Sequence, residues 1–474
     1  MRKRAVTFLG LVLICASPQG PAAVDSSIFA SEPPSKTALD DYVTKVDPSY
    51  SWRLFKTRKP QGVQLASYIL EMTSQTWRDP SEVDPAVWRH WIAVQRPTHP
   101  ASGERVSDTA LLLIGGGANK DAAPDFNRVQ REVGLALSSN AVVATLFFVP
   151  NQPTVFGDDD TKSPRFEDDL IAYTWNKYMD TGDATWLARM PMVKSAVRAM
   201  DTLTSFLKSE EGGGITIEKF AVAGASKRGW TTWLTGAVDK RVSAIIPIVI
   251  DVVNVIPSME HHYAAYGFWA PSLTAYEQHG IMKRSHEPEY KRLIRLVDPY
   301  HYRHRLKLPK YIVNAAGDQF FVPDSSRFYF DDLEGEKYLR YVPNAEHSLK
   351  GSDAVETIQA FFEAVINSEP RPRFSWKFVG NDEIRVTTVD RPAAVTLWQA
   401  TNPKARDFRL RSIGKAWTGR PLTAEGSTYS ARLEKPREGW SAAFVELEFA
   451  RGARHPFKFT SGVRIVPDTL PFSK

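Results

Sequence analysis

Only one cysteine, Cys15, occurs in the 474 residues, and it falls in the apolar start of the chain. The rest has no thiol, which excludes disulfide staples, a cysteine nucleophile and any cysteine-based metal site. Blocks of like charge are also missing. Lysine and arginine are interspersed with acids, and Arg2, Lys3 and Arg4 supply half of the net charge of +6. Nothing here favours a nucleic-acid partner. No apolar run reaches the roughly 20 residues that cross a bilayer as a helix, so no transmembrane segment is expected. The short run from Ala5 to Ala16 follows three basic residues and precedes Ser17, Pro18, Gly20 and Pro21-Ala22-Ala23. That order predicts a signal peptide over residues 1–23 and a secreted or periplasmic protein.

What is present is an ordinary globular composition, long enough for two domains or for one large domain with an appendage. Gly62–Met72 and Trp88–Gln95 alternate partly apolar with polar, as half-buried antiparallel strands do. Thr109–Ile114, Ala141–Phe148, Val242–Ile250, Leu308–Ala316 and Lys337–Val342 carry the more continuous apolar runs of strands buried on both faces. Residues 167–181, 191–208 and about 353–365 read as helices, the second with the apolar stripe Val193, Val197, Met200, Leu203 and Leu207. The aromatic and histidine-rich stretch 255–308 predicts a cap over the sheet. From about residue 370 short alternating strands and turn residues predict a β-sandwich of the Ig-like kind, a module that contacts carbohydrate or protein. The expected division is therefore 24–369 as an α/β domain and 370–474 as the sandwich.

The stretch that organises the chain is Glu218 to Leu234. An apolar run ends in Gly224-Ala225-Ser226, and Lys227-Arg228-Gly229-Trp230 opens a helical pattern. A sharp turn between strand and helix lifts one side chain off the sheet edge and aims the following N–H groups along the helix axis, as a nucleophile elbow requires. Ser226 is the candidate nucleophile. Arg228 stands where the usual G-x-S-x-G pattern has its second glycine, and the shifted form resembles the elbow of glucuronoyl esterases. The order of Lys227 and Gly229 excludes a phosphate-binding P-loop. Upstream, Gly115-Gly116-Gly117 follows a buried strand and precedes a helix, so its N–H groups could share an oxyanion hole with that of Lys227.

Serine hydrolysis needs a base and an acid that orients it, and in α/β-hydrolases they arrive in the order Ser, acid, His. Ser226, Asp318 and His347 have that order, each after a strand-like run. Asp324 and Asp251 are rival acids, but Asp318 directly follows Gly317 at a strand end. Lys227 and Arg228 place cations beside the nucleophile, and Arg228 is a candidate for binding a substrate carboxylate. His261, His262 and Tyr263 are candidate pocket residues. No metal and no cofactor is expected.

Gly224–Leu234, Gly115–Asn119, Ala316–Phe321, Ala345-Glu346-His347 and Ala400–Arg409 together resemble the PhoPQ-activated pathogenicity-related protein family (PqaA type), over about residues 40–460. The resemblance implies an exported protein with an α/β-hydrolase fold and an attached β-sandwich. It leaves two expectations open. One is a serine hydrolase acting on a small ester or peptide; the other is an exported binding or signalling protein on a hydrolase scaffold, linked to virulence or to resistance to host peptides.

Overall fold

The computed structural model describes residues 36–98 and 105–473, so the signal-peptide expectation for residues 1–23 lies outside the described residues. The alternating segments Ser51–Arg58 (β1), Leu65–Thr76 (β2) and Val87–Pro97 (β3) form antiparallel neighbours. The more continuously apolar segments lie beyond them. Thr109–Ile114 (β4), Val143–Leu146 (β5), Lys219–Ala225 (β6), Val242–Ile248 (β7), Lys310–Ala315 (β8) and Lys337–Val342 (β9) are mutually parallel. All nine make one sheet in the order β1-β2-β3-β5-β4-β6-β7-β8-β9.

Side chains alternate across a strand, so each central strand feeds two cores. On β6, Phe220 and Val222 join the core that holds Trp233 and Leu203, while Ala221 and Ala223 join the one that holds Phe361. The first core is roofed by Arg189–Lys208 (α4), which buries all five residues of its predicted stripe, and by Lys227–Val238 (α5). Gln130–Ser139 (α2, the helix after Ala38–Thr44, α1) and Ala354–Ile366 cover the opposite face. A mostly parallel sheet with helices on both faces and this strand order is the α/β-hydrolase fold. Glu167–Thr181 (α3 in chain order, before α4) forms over the predicted span. Residues 255–308 are helical throughout their ordered elements, beginning with Val255–Tyr266 (α6).

After Ile366 the chain enters two antiparallel sheets that form the β-sandwich. Phe374–Val379, Glu383–Thr388 and Thr428–Arg432 make the first, and Thr418–Pro421, Ala394–Asn402, Trp440–Arg451, Arg454–Thr460 and Arg464–Val466 the second. The sandwich packs directly on the far edge of the large sheet. Tyr338 stacks on Phe459 at 4.2 Å, Tyr311 donates to the Lys458 carbonyl at 2.8 Å, and the Tyr341 amide donates to Thr460 Oγ1 at 3.0 Å. Residues from Lys36 onward accordingly form one compact unit. Among the described residues no helix is long and apolar enough to cross a membrane.

Candidate active site

The turn at Ser226 is as sharp as its small neighbours suggest. Ser226 has φ 57° and ψ −124°, a conformation costing a non-glycine residue on the order of 1–3 kcal/mol, between the end of β6 and the start of α5. Its amide donates to the Ile248 carbonyl at 2.8 Å, and its carbonyl accepts from Trp230 at 3.0 Å. Gly224 and Gly229 allow this close approach. A Cβ on Gly224 would lie 2.6 Å from the Arg228 carbonyl oxygen, and one on Gly229 2.9 Å from the Gly224 oxygen.

Asp318 and His347 follow β8 and β9, and the Gly317 amide ties their loops by donating to the Ala345 carbonyl at 3.0 Å. His347 Nδ1 lies 2.8 Å from Asp318 Oδ2, while Asp318 Oδ1 accepts from the Phe320 amide at 2.7 Å. A carboxylate at Nδ1 favours the proton there and leaves a lone pair on Nε2. That Nε2 is buried and has no hydrogen-bond partner among the described residues, Ser226 Oγ included. Phe320 connects the two residues: its ring is 4.4 Å from the His347 ring, and it lines the same cavity as Ser226.

The rival acids are engaged elsewhere. Asp324 accepts from Arg406 Nη2 at 2.7 Å and lies 3.0 Å from His261 Nε2. Asp251 accepts from Tyr329 at 2.7 Å and Tyr341 at 2.6 Å, and burial pushes its carboxyl up to about 7.

In the glycine loop the three amides differ. Gly115 N–H extends the sheet by donating to the Leu146 carbonyl at 2.7 Å, so the oxyanion expectation narrows to Gly116 and Gly117 beside Lys227. Gly117 has φ 120°, and a Cβ on Gly116 would lie 2.6 Å from Arg228 Nη2.

Arg228 does not reach the cavity. Its guanidinium donates to the Val149 carbonyl at 2.5 Å and makes a two-pronged pair with Glu167 at 2.8 and 2.5 Å. Burial pushes Glu167 up, but Arg228, Lys227 and Gln152 outweigh it and hold the carboxyl at about 2. The substrate-carboxylate expectation for Arg228 therefore meets a guanidinium already saturated by a protein carboxylate. Lys227 does line the cavity, with Nζ 2.8 Å from Asp168 Oδ2 and 3.3 Å from Glu167 Oε2.

Helix α6 walls the cavity through Val255 and Met259, one turn apart, rather than through the polar residues read from sequence. His261 turns to Asp324, and His262 accepts from the Ala270 amide at 3.1 Å, with burial lowering its ring to about 3. Tyr263 is 39% exposed and packs on Trp269. Neighbouring helical positions point different ways, so adjacent residues could not all face one pocket. The polar cavity residues missed in the sequence include Asp168, Arg189 and Tyr276. Asp168 sits in the acidic run Glu167-Asp168-Asp169, which reads as an ordinary helix start.

Residues 39–409 match the PhoPQ-activated pathogenicity-related protein family. The autocrine proliferation repressor protein A of Dictyostelium discoideum is 39% identical, with 92% of each chain covered. Among solved structures, the acetyl xylan esterase of Paenibacillus sp. R4 is 14% identical with a TM-score of 0.47, covering 69% of this chain and 91% of its own. A glucuronoyl esterase from Solibacter usitatus is 14% identical with a TM-score of 0.41, covering 69% and 87%. The extent of the family match and of the Dictyostelium similarity makes this chain a member of the PhoPQ-activated pathogenicity-related protein family.

Proposed function

We propose that the protein is an exported serine hydrolase that cleaves an ester or peptide bond with Ser226, His347 and Asp318. The observation that carries this reading is the His347 ring, oriented by Asp318 through Nδ1 while its buried Nε2 has no partner. Catalytic hydrogen bonds are often long before substrate binds, so a free Nε2 is compatible with a base awaiting the serine proton. Ser226 Oγ attacks the carbonyl carbon as its proton passes to His347 Nε2. The carbonyl electron pair moves to oxygen, where the amides of Lys227 and of Gly116 or Gly117 receive it. As the carbonyl re-forms, the bond to the leaving oxygen or nitrogen breaks and that atom takes the proton from Nε2. Water, deprotonated by the same nitrogen, then releases the acid and restores Ser226. Most of the cavity wall is apolar, and the low local dielectric this creates strengthens each of those contacts.

A second reading, a binding or signalling protein on a hydrolase scaffold, is favoured by the name of the Dictyostelium relative. Labelling with a fluorophosphonate separates the two. The enzyme reading expects one adduct, at Ser226, absent from folded Ser226→Ala; labelling that survives the substitution, or none in the wild type, rejects it.

A further inference from the structure

Arg189 opens α4, is 1% exposed and lines the same cavity as Ser226. Among the described residues the only hydrogen bond of its side chain runs from Nη1 to the Lys227 carbonyl at 2.9 Å and its buried Nε has no partner, while its guanidinium lies 4.4 Å from the Trp230 ring centroid. Among the described residues no carboxylate is within ion-pair distance of it. The surrounding acids are already committed. Glu167 is paired with Arg228, and Asp168 with Lys227 at 2.8 Å and with the Tyr276 hydroxyl at 3.1 Å. Three cations thus face two carboxylates, and the surplus positive charge belongs to the most buried of the three.

A buried charge without a counter-ion is costly, and a guanidinium has a fork of donors matched to a planar carboxylate. The remaining cavity wall is apolar and aromatic, including Trp175, Ile250, Val252 and Phe320. The cavity volume is about 60 Å³, room for about four waters or one short acyl chain. We propose that Arg189 binds a carboxylate carried by the substrate, which makes the substrate an anionic ester with a short apolar segment between its carboxylate and its reacting carbonyl. This rests on the hydrolase reading for the reaction but not for the binding.

Two esters differing only at the chain end test it: 4-nitrophenyl hemiglutarate, which ends in a carboxylate, and 4-nitrophenyl valerate, which ends in a methyl. Wild-type protein is expected to favour the hemiglutarate in kcat/KM. In Arg189→Met, which keeps the apolar stem, the ratio of the two values should fall roughly 10- to 150-fold, the loss of one charged hydrogen-bonded contact. Arg189→Lys should retain part of the preference. A wild-type preference for valerate, or a ratio unchanged in Arg189→Met, overturns the proposal. If Arg189→Met does not fold, the wild-type preference and the Arg189→Lys ratio decide. Calorimetry on Ser226→Ala with monomethyl glutarate and dimethyl glutarate stands apart from turnover. Tighter binding of the monoester, lost in the double variant with Arg189→Lys or Arg189→Met, supports the anion site even if no fluorophosphonate adduct forms, and equal binding of both probes refutes it.

Discussion

Removing the Arg228 guanidinium should loosen the elbow from the Val149 loop and from Glu167 together, because one side chain holds both. In Arg228→Met the hydrogen bond to the Val149 carbonyl and the two to Glu167 disappear. The displacement of Glu167 from 4.5 to about 2 corresponds to about 3 kcal/mol of charge interaction. Because Lys227 and Gln152 supply part of this and the Glu167 side chain is 37% exposed and so screened by solvent, the share of Arg228 is about 1–2 kcal/mol. The lost Val149 contact adds about 1 kcal/mol. With an unfolding entropy of about 2.1 cal/mol/K per residue, the total lowers Tm by about 3 °C in a unit of this size. The folded carboxyl is depressed, so the stabilisation is fully present above the ordinary value of 4.5 and is lost as pH falls through about 2. Calorimetry should therefore show the widest gap between wild type and Glu167→Gln near pH 6 and a narrower one near pH 3. Hydrolysis of 4-nitrophenyl hemiglutarate and valerate should fall by similar factors in Arg228→Met, since the arginine acts through the loop. An unchanged Tm together with a loss confined to the anionic ester would refute this reasoning and return Arg228 to the substrate.

Other substitutions probe separate links. Gly229→Ala puts a Cβ 2.9 Å from both the Gly224 oxygen and Ile250 Cγ2; overpacking of about 1–3 kcal/mol should appear as a lower Tm, and an unaltered Tm contradicts the close approach at the elbow. Asp318→Asn should cut kcat on the order of 10³- to 10⁴-fold by removing the charge that orients His347, with the fold retained by circular dichroism; a loss under tenfold points to another acid. Asp251 has a folded value raised to about 7 from 3.8, burial being the main cause. Its contribution is fully present below 3.8 and lost as pH rises through 7, a decline of up to about 4 kcal/mol. In Asp251→Asn, whose amide can still meet Tyr329 and Tyr341, that part of the decline in Tm between pH 4 and 7 should vanish; identical pH profiles would count against a carboxyl held neutral there.

The elements most legible in the sequence were those whose pattern depends on burial alone. Thr109–Ile114 and Lys337–Val342 form strands over the expected residues, and Glu167–Thr181 forms a helix over its expected span. The strand read as Ala141–Phe148 shortens to Val143–Leu146. Phe148 has φ 66° and donates its amide to the Gly116 carbonyl at 3.1 Å, so the apolar run continues past the strand into the loop over the glycines. Hydrophobicity reports that such a residue is buried but says nothing of which backbone conformation buries it.

Charged residues at the site were the least legible, because the fate of a cation depends on how many acids the fold brings to it. In sequence, Arg228 stood out for its position beside the nucleophile and Arg189 did not stand out at all. Glu167 and Asp168 lie 61 and 59 residues from their arginine and lysine partners, a separation no local pattern encodes. Once α3 carries both acids to the start of α5, Arg228 and Lys227 are satisfied and the unpaired charge passes to Arg189, 39 residues before Arg228 in the chain and joined to the elbow by the bond to the Lys227 carbonyl and by its packing on the Trp230 ring. On the proposal made above, the residue type expected for an anionic substrate sits in the same neighbourhood at a different position. Charge counting within a folded cavity, rather than proximity to the nucleophile along the chain, is what moves the proposed role from one arginine to the other.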